Sequence, residues 1–261
     1  MAGTCHDDRE EGPKENFSPA TDGRARLKEN TMSTKIVVSY DGTANEDDAI
    51  ALGRLLGGAG AELALAYVRH SQDRDLDREQ LAQNEAEELL ARGASLLGDA
   101  NVARHVVTDR STPEGLRALA ESEGADVVVF CSDSHTAKGH VSVGNSAQQL
   151  LEGGPVAVAI APVGLADAAA GIRSVVAIGD ADGGARATAE SLASALGASV
   201  APVANEDADL LVVDSRPEAE QGRVAISASA AHVIEIARCP VLVLPRGRAL
   251  AFGRLAVTVN A

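Results

Sequence analysis

The stretch CSDSHTAKGHVSVGNS, residues 131–146, brings together a thiol, two histidines, a lysine and an Asn–Ser pair. It leaves the apolar run Val127-Val128-Val129-Phe130 and leads into a short helical segment. Free amides at such a helix start, with Asn145 and Ser146 as added donors, make an anion site. A second candidate group ends another strand-like run: Ile36-Val37-Val38-Ser39-Tyr40 is followed by Asp41-Gly42-Thr43. An aspartate at a strand end can accept from a ribose hydroxyl or an adenine amino group. The plain alternative is a turn and helix cap, since Asp and Gly are favoured in both.

Other chemistries fit these residues poorly. Cys131, Asp133, His135 and His140 match no common zinc spacing, and no metal site is expected. Cys131 reads most simply as a small residue in place of glycine, with a redox-sensing thiolate beside an anion site as the sharper alternative. Cys239, next to Pro240, reads as structural. Gly144-Asn145-Ser146-Ala147-Gln148 superficially has the form of a nucleophile elbow, but Gln148 stands where the second Gly belongs. No Asp–His pair is evidently placed to serve Ser146. There is no Walker lysine in a glycine loop, no dinucleotide fingerprint and no HExxH. No catalytic residue is expected, and a hydrolase using Ser146 is the weakest alternative.

The elements that must position these groups alternate. Strand 36–40 precedes a helix near 45–57, with Ala49, Leu52, Leu55 and Leu56 on one face. Strand 63–68, a charged helix near 76–98 and strand 103–107 follow. Ser111-Thr112-Pro113 predicts a capped helix to about Glu123. Strand 126–130, the loop, a helix near 145–152 and strand 156–160 complete a unit. Such alternation predicts an α/β fold with a doubly wound, mainly parallel sheet and its site at the carboxyl ends of the strands.

The chain then partly repeats itself. GADVVVF (124–130) compares with DADLLVV (207–213), and PVAVAIAP (155–162) with PVLVLP (240–245). Strand 174–178 and helix 185–196 open the second copy, which is shorter between Val203 and Asp209. The expected organisation is a disordered extension 1–33, a first domain 34–164, a linker 165–171, a shortened second domain 172–247, and a tail or edge strand 248–261. Met32, just before the first strand, reads as the natural start; mass spectrometry of the native N-terminus checks this.

Composition limits the function classes. The 261 residues are 45% hydrophobic but only 2% aromatic, so the core is built from Ala, Val, Leu and Ile. A net charge of −15 argues against nucleic-acid or anionic-membrane partners. The three cysteines have no metal or redox spacing and suggest reduced thiols. No apolar run approaches the roughly 20 residues of a membrane-spanning helix, and MAGTCHDDREEGPKENFSP lacks a signal-peptide core. A cytoplasmic location is expected.

Together, IVVSYDGT, GADVVVF with the loop to Gly144, PVAVAIAP, DADLLVVDSRP and HVIEIARCPVLVLP resemble the universal stress protein family in tandem form. The resemblance covers roughly residues 34–246 and implies an adenine nucleotide α-hydrolase-like fold. It also implies a stress-response role, with ATP or another adenine nucleotide such as AMP or cyclic AMP as ligand. ATP-binding members carry Gly, two residues, Gly, nine residues, then Gly and Ser/Thr. That spacing falls on Cys131, Ser134, Gly144, Asn145 and Ser146, so two glycines are replaced. Left-handed conformations at those two positions would cost about 1–2 kcal/mol each, unless the loop takes another shape with Lys138, His135 or His140 toward the phosphates. The resemblance adds Tyr40, Asp41, Gly42 and Val68 as the nucleoside side of the site. In the second half the spacing falls on Asp214, Pro217, Ser227 and Ala228, and no second nucleotide site is expected. Family members pair through their last strands, which implies either an intramolecular pseudo-dimer across 156–160 and 241–244 or a homodimer. The alternative function is an interaction module of the same family that binds no nucleotide.

Overall fold

Valine-rich runs bounded by Gly, Pro and Asp form the strands, because β-branched side chains suit a sheet buried on both faces. In the computed structural model the described residues are 33–43, 45–70, 75–168, 171–179, 184–202 and 208–253, with Met1 and Gly3. The expected extension (apart from Met1, Gly3 and Ser33), the Met32 start and the terminal strand 255–259 lie outside the described residues.

The first half runs β1 (Lys35–Ser39), α1 (Glu46–Gly58), β2 (Glu62–Arg69), α2 (Leu76–Leu97), β3 (Ala103–Thr108), α3 (Thr112–Glu123), β4 (Val127–Cys131), α4 (Asn145–Leu151) and β5 (Ala157–Ala161). The second runs β6 (Ser174–Ile178), α5 (Gly184–Leu196), β7 (Ser199–Ala201), β8 (Leu210–Asp214), α6 (Ala228–Ile236) and β9 (Val241–Leu244). Glycine stops helices where a left-handed residue is needed: Gly98 (φ 83°) ends α2 and Gly124 (φ 63°) ends α3. At the start of α3, Ser111 makes no side-chain cap. Its amide instead donates to Asp109 Oδ1 at 2.9 Å.

The nine strands of the described residues form one sheet in the order β3-β2-β1-β4-β5-β9-β8-β6-β7. Neighbours run parallel everywhere except at the seam, where β5 and β9 pair antiparallel through Val158↔Val243, Ala159↔Leu242 and Ile160↔Val241. Outward from the seam the first half reads β5-β4-β1-β2-β3 and the second β9-β8-β6-β7. The halves therefore share a strand order, less the outermost strand. They also share a local device. Ser132 Oγ donates to Ala161 O (2.6 Å) and accepts from Ser142 N (3.1 Å). Ser215 Oγ donates to Leu244 O (2.7 Å) and accepts from Ala225 N (3.0 Å). The sequence separations, 29 and 10 residues, are the same in both halves. Each serine ties the loop after its strand to the last strand of its half.

Helices α1, α2 and α5 cover one face of the sheet, and α3, α4 and α6 the other. Each apolar layer runs through both halves without a break at the seam, where Val158, Val241, Leu242 and Val243 are fully buried. Loop bonds reinforce the junction: Val224 N–H donates to Gly154 O, Gly153 N–H to Val224 O, and Val141 N–H to Ala237 O. The short connection after β5 is held from the first half. Asp48, buried on α1, accepts from Gly164 N (2.8 Å) and Ala166 N (2.7 Å). The chain beyond β9 returns over α5, with Leu250 N–H donating to Thr188 and Thr34 Oγ1 donating to Ala251 O.

Candidate functional site

In the order β3-β2-β1-β4-β5 the winding reverses between β1 and β4, so their carboxyl ends open a crevice between the two helix layers. Tyr40, Asp41 and Gly42 lie on one side of it. Tyr40 is buried and its amide donates to Ala66 O, which continues the β1–β2 ladder. Its ring lies so close to α2 that a Cβ on Gly93 would stand 2.9 Å away, so Gly93 is the residue that lets this helix approach. Asp41 is exposed, with Oδ1 accepting from Thr43 N at 2.9 Å, and Gly42 has φ 74°. The turn reading of Asp41-Gly42-Thr43 therefore holds, and it leaves the aspartate at the crevice mouth. Val68 is buried near the end of β2, in the apolar layer of α3 rather than that of Tyr40.

Cys131 ends β4 on the α1 face, while Gly144, Asn145 and Ser146 begin α4 on the opposite face. The loop between them is exposed at Ser134 and held at several points. Besides Ser132, Gly139 N–H donates to Val163 O, and Asp133 Oδ1 accepts from His135 N. Asn45 Nδ2 donates to Asp133 O at 3.2 Å and links this loop to the start of α1. None of the described non-glycine residues has positive φ, so the replaced glycines carry no left-handed strain. The loop has another shape, and Lys138 is not turned to the crevice. Its ammonium pairs with Asp167 at 2.7 Å and its stem lies over Gly164. Gly144 itself has φ −71°, and a Cβ there would meet nothing within 4 Å. Neither conformation nor internal packing calls for glycine at that position.

Sequence reasoning missed the most perturbed group in the crevice. Glu46, in the first turn of α1, is only 6% exposed, and its Oε2 accepts from the amides of Asp41 and Gly42. Burial, and then the adjacent Asp41 carboxylate, push its carboxyl up to about 8, against the opposing pull of the two amides. No simple signal marked it: Thr43-Ala44-Asn45-Glu46 has the S/T-x-x-E form, but Asn45 precedes α1, so Glu46 is its first residue and reaches past Thr43 to the amides of Asp41 and Gly42. Cys131 faces the same carboxylates. Burial, then Glu46 and Asp41, push its thiol up to about 12, which removes the thiolate a redox sensor needs.

Beside Asp41 a cleft of about 390 Å³ opens between the end of β2 and α2. Tyr67, Arg69, His70, Leu89 and Arg92 line it with Asp41. Arg69, buried, is held by Glu79 (2.8 Å) and Gln83 (3.1 Å). Among the described residues no group of three or more His, Cys, Asp and Glu is arranged to hold a metal ion. No histidine hydrogen-bonds Ser146 among them either.

In the second half a carboxylate lies against the glycines that flank the corresponding strand end. Asp214, at the end of β8, puts its carboxylate where Gly179 and Gly184 have no side chains. A Cβ on Gly179 would lie 2.5 Å from Oδ2, and one on Gly184 2.9 Å from Oδ1.

Comparison with known proteins agrees with this architecture. The sequence model of the universal stress protein family matches residues 32–162, the half that carries the open crevice. The chain belongs to the universal stress protein family. A universal stress protein from Archaeoglobus fulgidus DSM 4304 superposes with TM-score 0.61 at 15% identity, over 82% of this chain and 99% of that one. A functionally unknown protein from Pseudomonas aeruginosa PAO1 and a putative universal stress protein from Pseudomonas aeruginosa UCBPP-PA14 each superpose with TM-score 0.56 at 17% identity. Each alignment covers 82% of this chain and 93% of the other. At such identities the likeness is one of fold, and it extends past the matched 131-residue region (32–162) into the second half. No curated protein sequence matches the chain.

Proposed function

We propose that this universal stress protein serves a cytoplasmic stress response by binding an adenine nucleotide in its first half. In this reading the second half descends from the same unit and acts as a structural companion joined across the β5–β9 seam. The carrying observation is the open crevice at the β1–β4 switch. An exposed Asp41 stands on one side, and on the other Gly144 has a clear approach, with no described residue near where a side chain would begin. In this reading the nucleoside would take the cleft beside Asp41, which Tyr67, Arg69 and Arg92 also line, and the phosphates would be held by Gly144, Asn145 and Ser146. The proposed role is binding rather than catalysis, with the carboxyls and donors of the crevice serving recognition.

A second reading, an interaction module without nucleotide, is favoured by one observation. The amides of Asp41 and Gly42 are already taken by Glu46. One experiment separates the two. Purified protein is assayed for co-eluting nucleotide and for thermal stabilisation by ATP, AMP and cyclic AMP, beside Asp41→Ala. The nucleotide reading expects stabilisation of the wild type that weakens in the variant. No shift with any of them at millimolar concentration overturns it and leaves the interaction module.

A further inference from the structure

Helix α2 packs on the turn after β1 through two contacts that leave no room for a side chain on the facing residue. Leu89 Cδ1 lies 2.5 Å from where a Cβ on Gly42 would stand, and the Tyr40 ring 2.9 Å from where one on Gly93 would stand. Gly42 and Gly93 thereby let the helix settle on the end of β1. Arg92, next to Gly93 in sequence, is carried to the rim of the cleft that Asp41 and Tyr67 also line. Its Nη2 lies 3.9 Å from the same Gly42 Cβ position. The guanidinium is thus turned toward the β1 turn, although Glu88 stands one turn earlier on its own helix and Glu85 two turns earlier. It makes no hydrogen bond and no ion pair among the described residues, Asp41 included.

The rest of the cleft decides what this guanidinium can meet. Ala86 and Leu89 give it an apolar wall on α2, and β2 supplies the Tyr67 ring. Arg69 is already compensated by Glu79 at 2.8 Å, while Asp41 and Glu85 add two carboxylates. Negative charge therefore outweighs the one uncompensated guanidinium, which disfavours a phosphate in the cleft and suits a neutral, flat ring. A guanidinium is itself planar and stacks on such a ring, whereas an ammonium supplies the charge without the plane. We propose that Arg92 is a specificity-determining residue of the nucleotide site: its guanidinium covers the face of a purine base held in the cleft and does not touch the phosphates. The proposal rests on the nucleotide reading above and deepens it by assigning the base a contact.

Two consequences separate stacking from simple charge attraction. A contact made to the base alone weakens adenosine, AMP and ATP by the same factor when it is lost. A guanidinium that acts on phosphate instead gives a loss that grows with ligand charge, and lysine restores it. Contacts between a guanidinium and a ring face correspond to about threefold to thirtyfold in affinity. A pyrimidine offers less face to cover and gains less from the contact.

The test measures the affinity of adenosine, AMP, ATP and CMP by calorimetry for the wild type, Arg92→Ala and Arg92→Lys. Arg92 is exposed, so both variants are expected to unfold at the wild-type temperature without ligand; should Arg92→Ala fold poorly, Arg92→Lys alone decides. Both variants are expected to lose about threefold or more, by the same factor for adenosine, AMP and ATP, and the preference for AMP over CMP narrows in both. Wild-type affinity in either variant, a loss that grows from adenosine to ATP, or an unchanged ratio of AMP to CMP affinity overturns the proposal while the nucleotide reading stands. No binding of any of the four ligands to the wild type overturns both.

Discussion

Replacing Glu46 by glutamine isolates the energetic consequence of a buried carboxyl without any ligand. Glu46 is 6% exposed, and its carboxyl is pushed up to about 8, first by burial and then by Asp41. In the unfolded chain a glutamate titrates near 4.3. The folded value is the higher one, so this group's contribution is fully present below about pH 4 and is lost as pH rises through about 8. Between those limits the folded protein holds a proton that the unfolded chain has released. Stability then falls by about 1.4 kcal/mol for each pH unit, or about 3 kcal/mol from pH 5 to pH 7. Glutamine accepts from the same two amides, donates to Asp41 and does not titrate. Every other group is common to both proteins, so the difference in unfolding free energy isolates this site. Urea unfolding followed by far-ultraviolet circular dichroism at pH 5, 6, 7 and 8 supplies it. The stability of Glu46→Gln relative to wild type is expected to rise by about 3 kcal/mol between pH 5 and 7. A difference flat to within about 0.5 kcal/mol, or one that shrinks as pH rises, refutes the reasoning.

Three further outcomes follow from the packing. Cys131 and Cys239, both pushed up to about 12 by burial, are expected to resist iodoacetamide at pH 8 in the native protein and to label fully in denaturant; peptide mass spectrometry reads this, and rapid native labelling of Cys131 contradicts its burial. Asp48→Ala deprives the Gly164 and Ala166 amides of a charged acceptor and is expected to cost about 2–4 kcal/mol in urea unfolding; a cost below about 0.5 kcal/mol means that the chain after β5 is not held there. Ser132→Ala and Ser215→Ala remove equivalent pins and are expected to cost about 1–3 kcal/mol each, roughly additively in the double variant; a large cost at one and none at the other breaks the equivalence.

Much of the fold was legible because it rests on local periodicity. Runs such as Ser174–Ile178 and Val241–Leu244 have strand composition whatever surrounds them, and the elements given limits from the sequence begin and end within about a residue or two of them, while the short β7 was not expected. The paired endings PVAVAIAP and PVLVLP carry the two strands of the antiparallel seam. The candidate site was legible only in part. The sequence places Asp41 after β1 and Gly144 before α4, but a ruler laid along the loop says nothing about which way Lys138 turns, and its ion pair with Asp167 spans 29 residues. Asp48 bonds to amides 116 and 118 residues away, a relation that no window of sequence contains.

Sequence alone therefore determined the alternation of elements and the likeness of the paired strand segments, since both follow from side-chain pattern and turn chemistry within short segments, whereas the order of strands in the sheet is a product of folding. Tertiary structure alone decided the state of the crevice. A glutamate in the first turn of a helix is ordinarily a solvated, ionised residue. Glu46 becomes a buried acid with a raised proton affinity only because β1, β4 and α1 converge on it and exclude water. Asp214 lies against Gly179 and Gly184 only because folding brings these positions, 30 or more residues apart in sequence, together in space. Burial and through-space charge depend on what surrounds a residue after folding, and they are the terms that set the chemistry of this site.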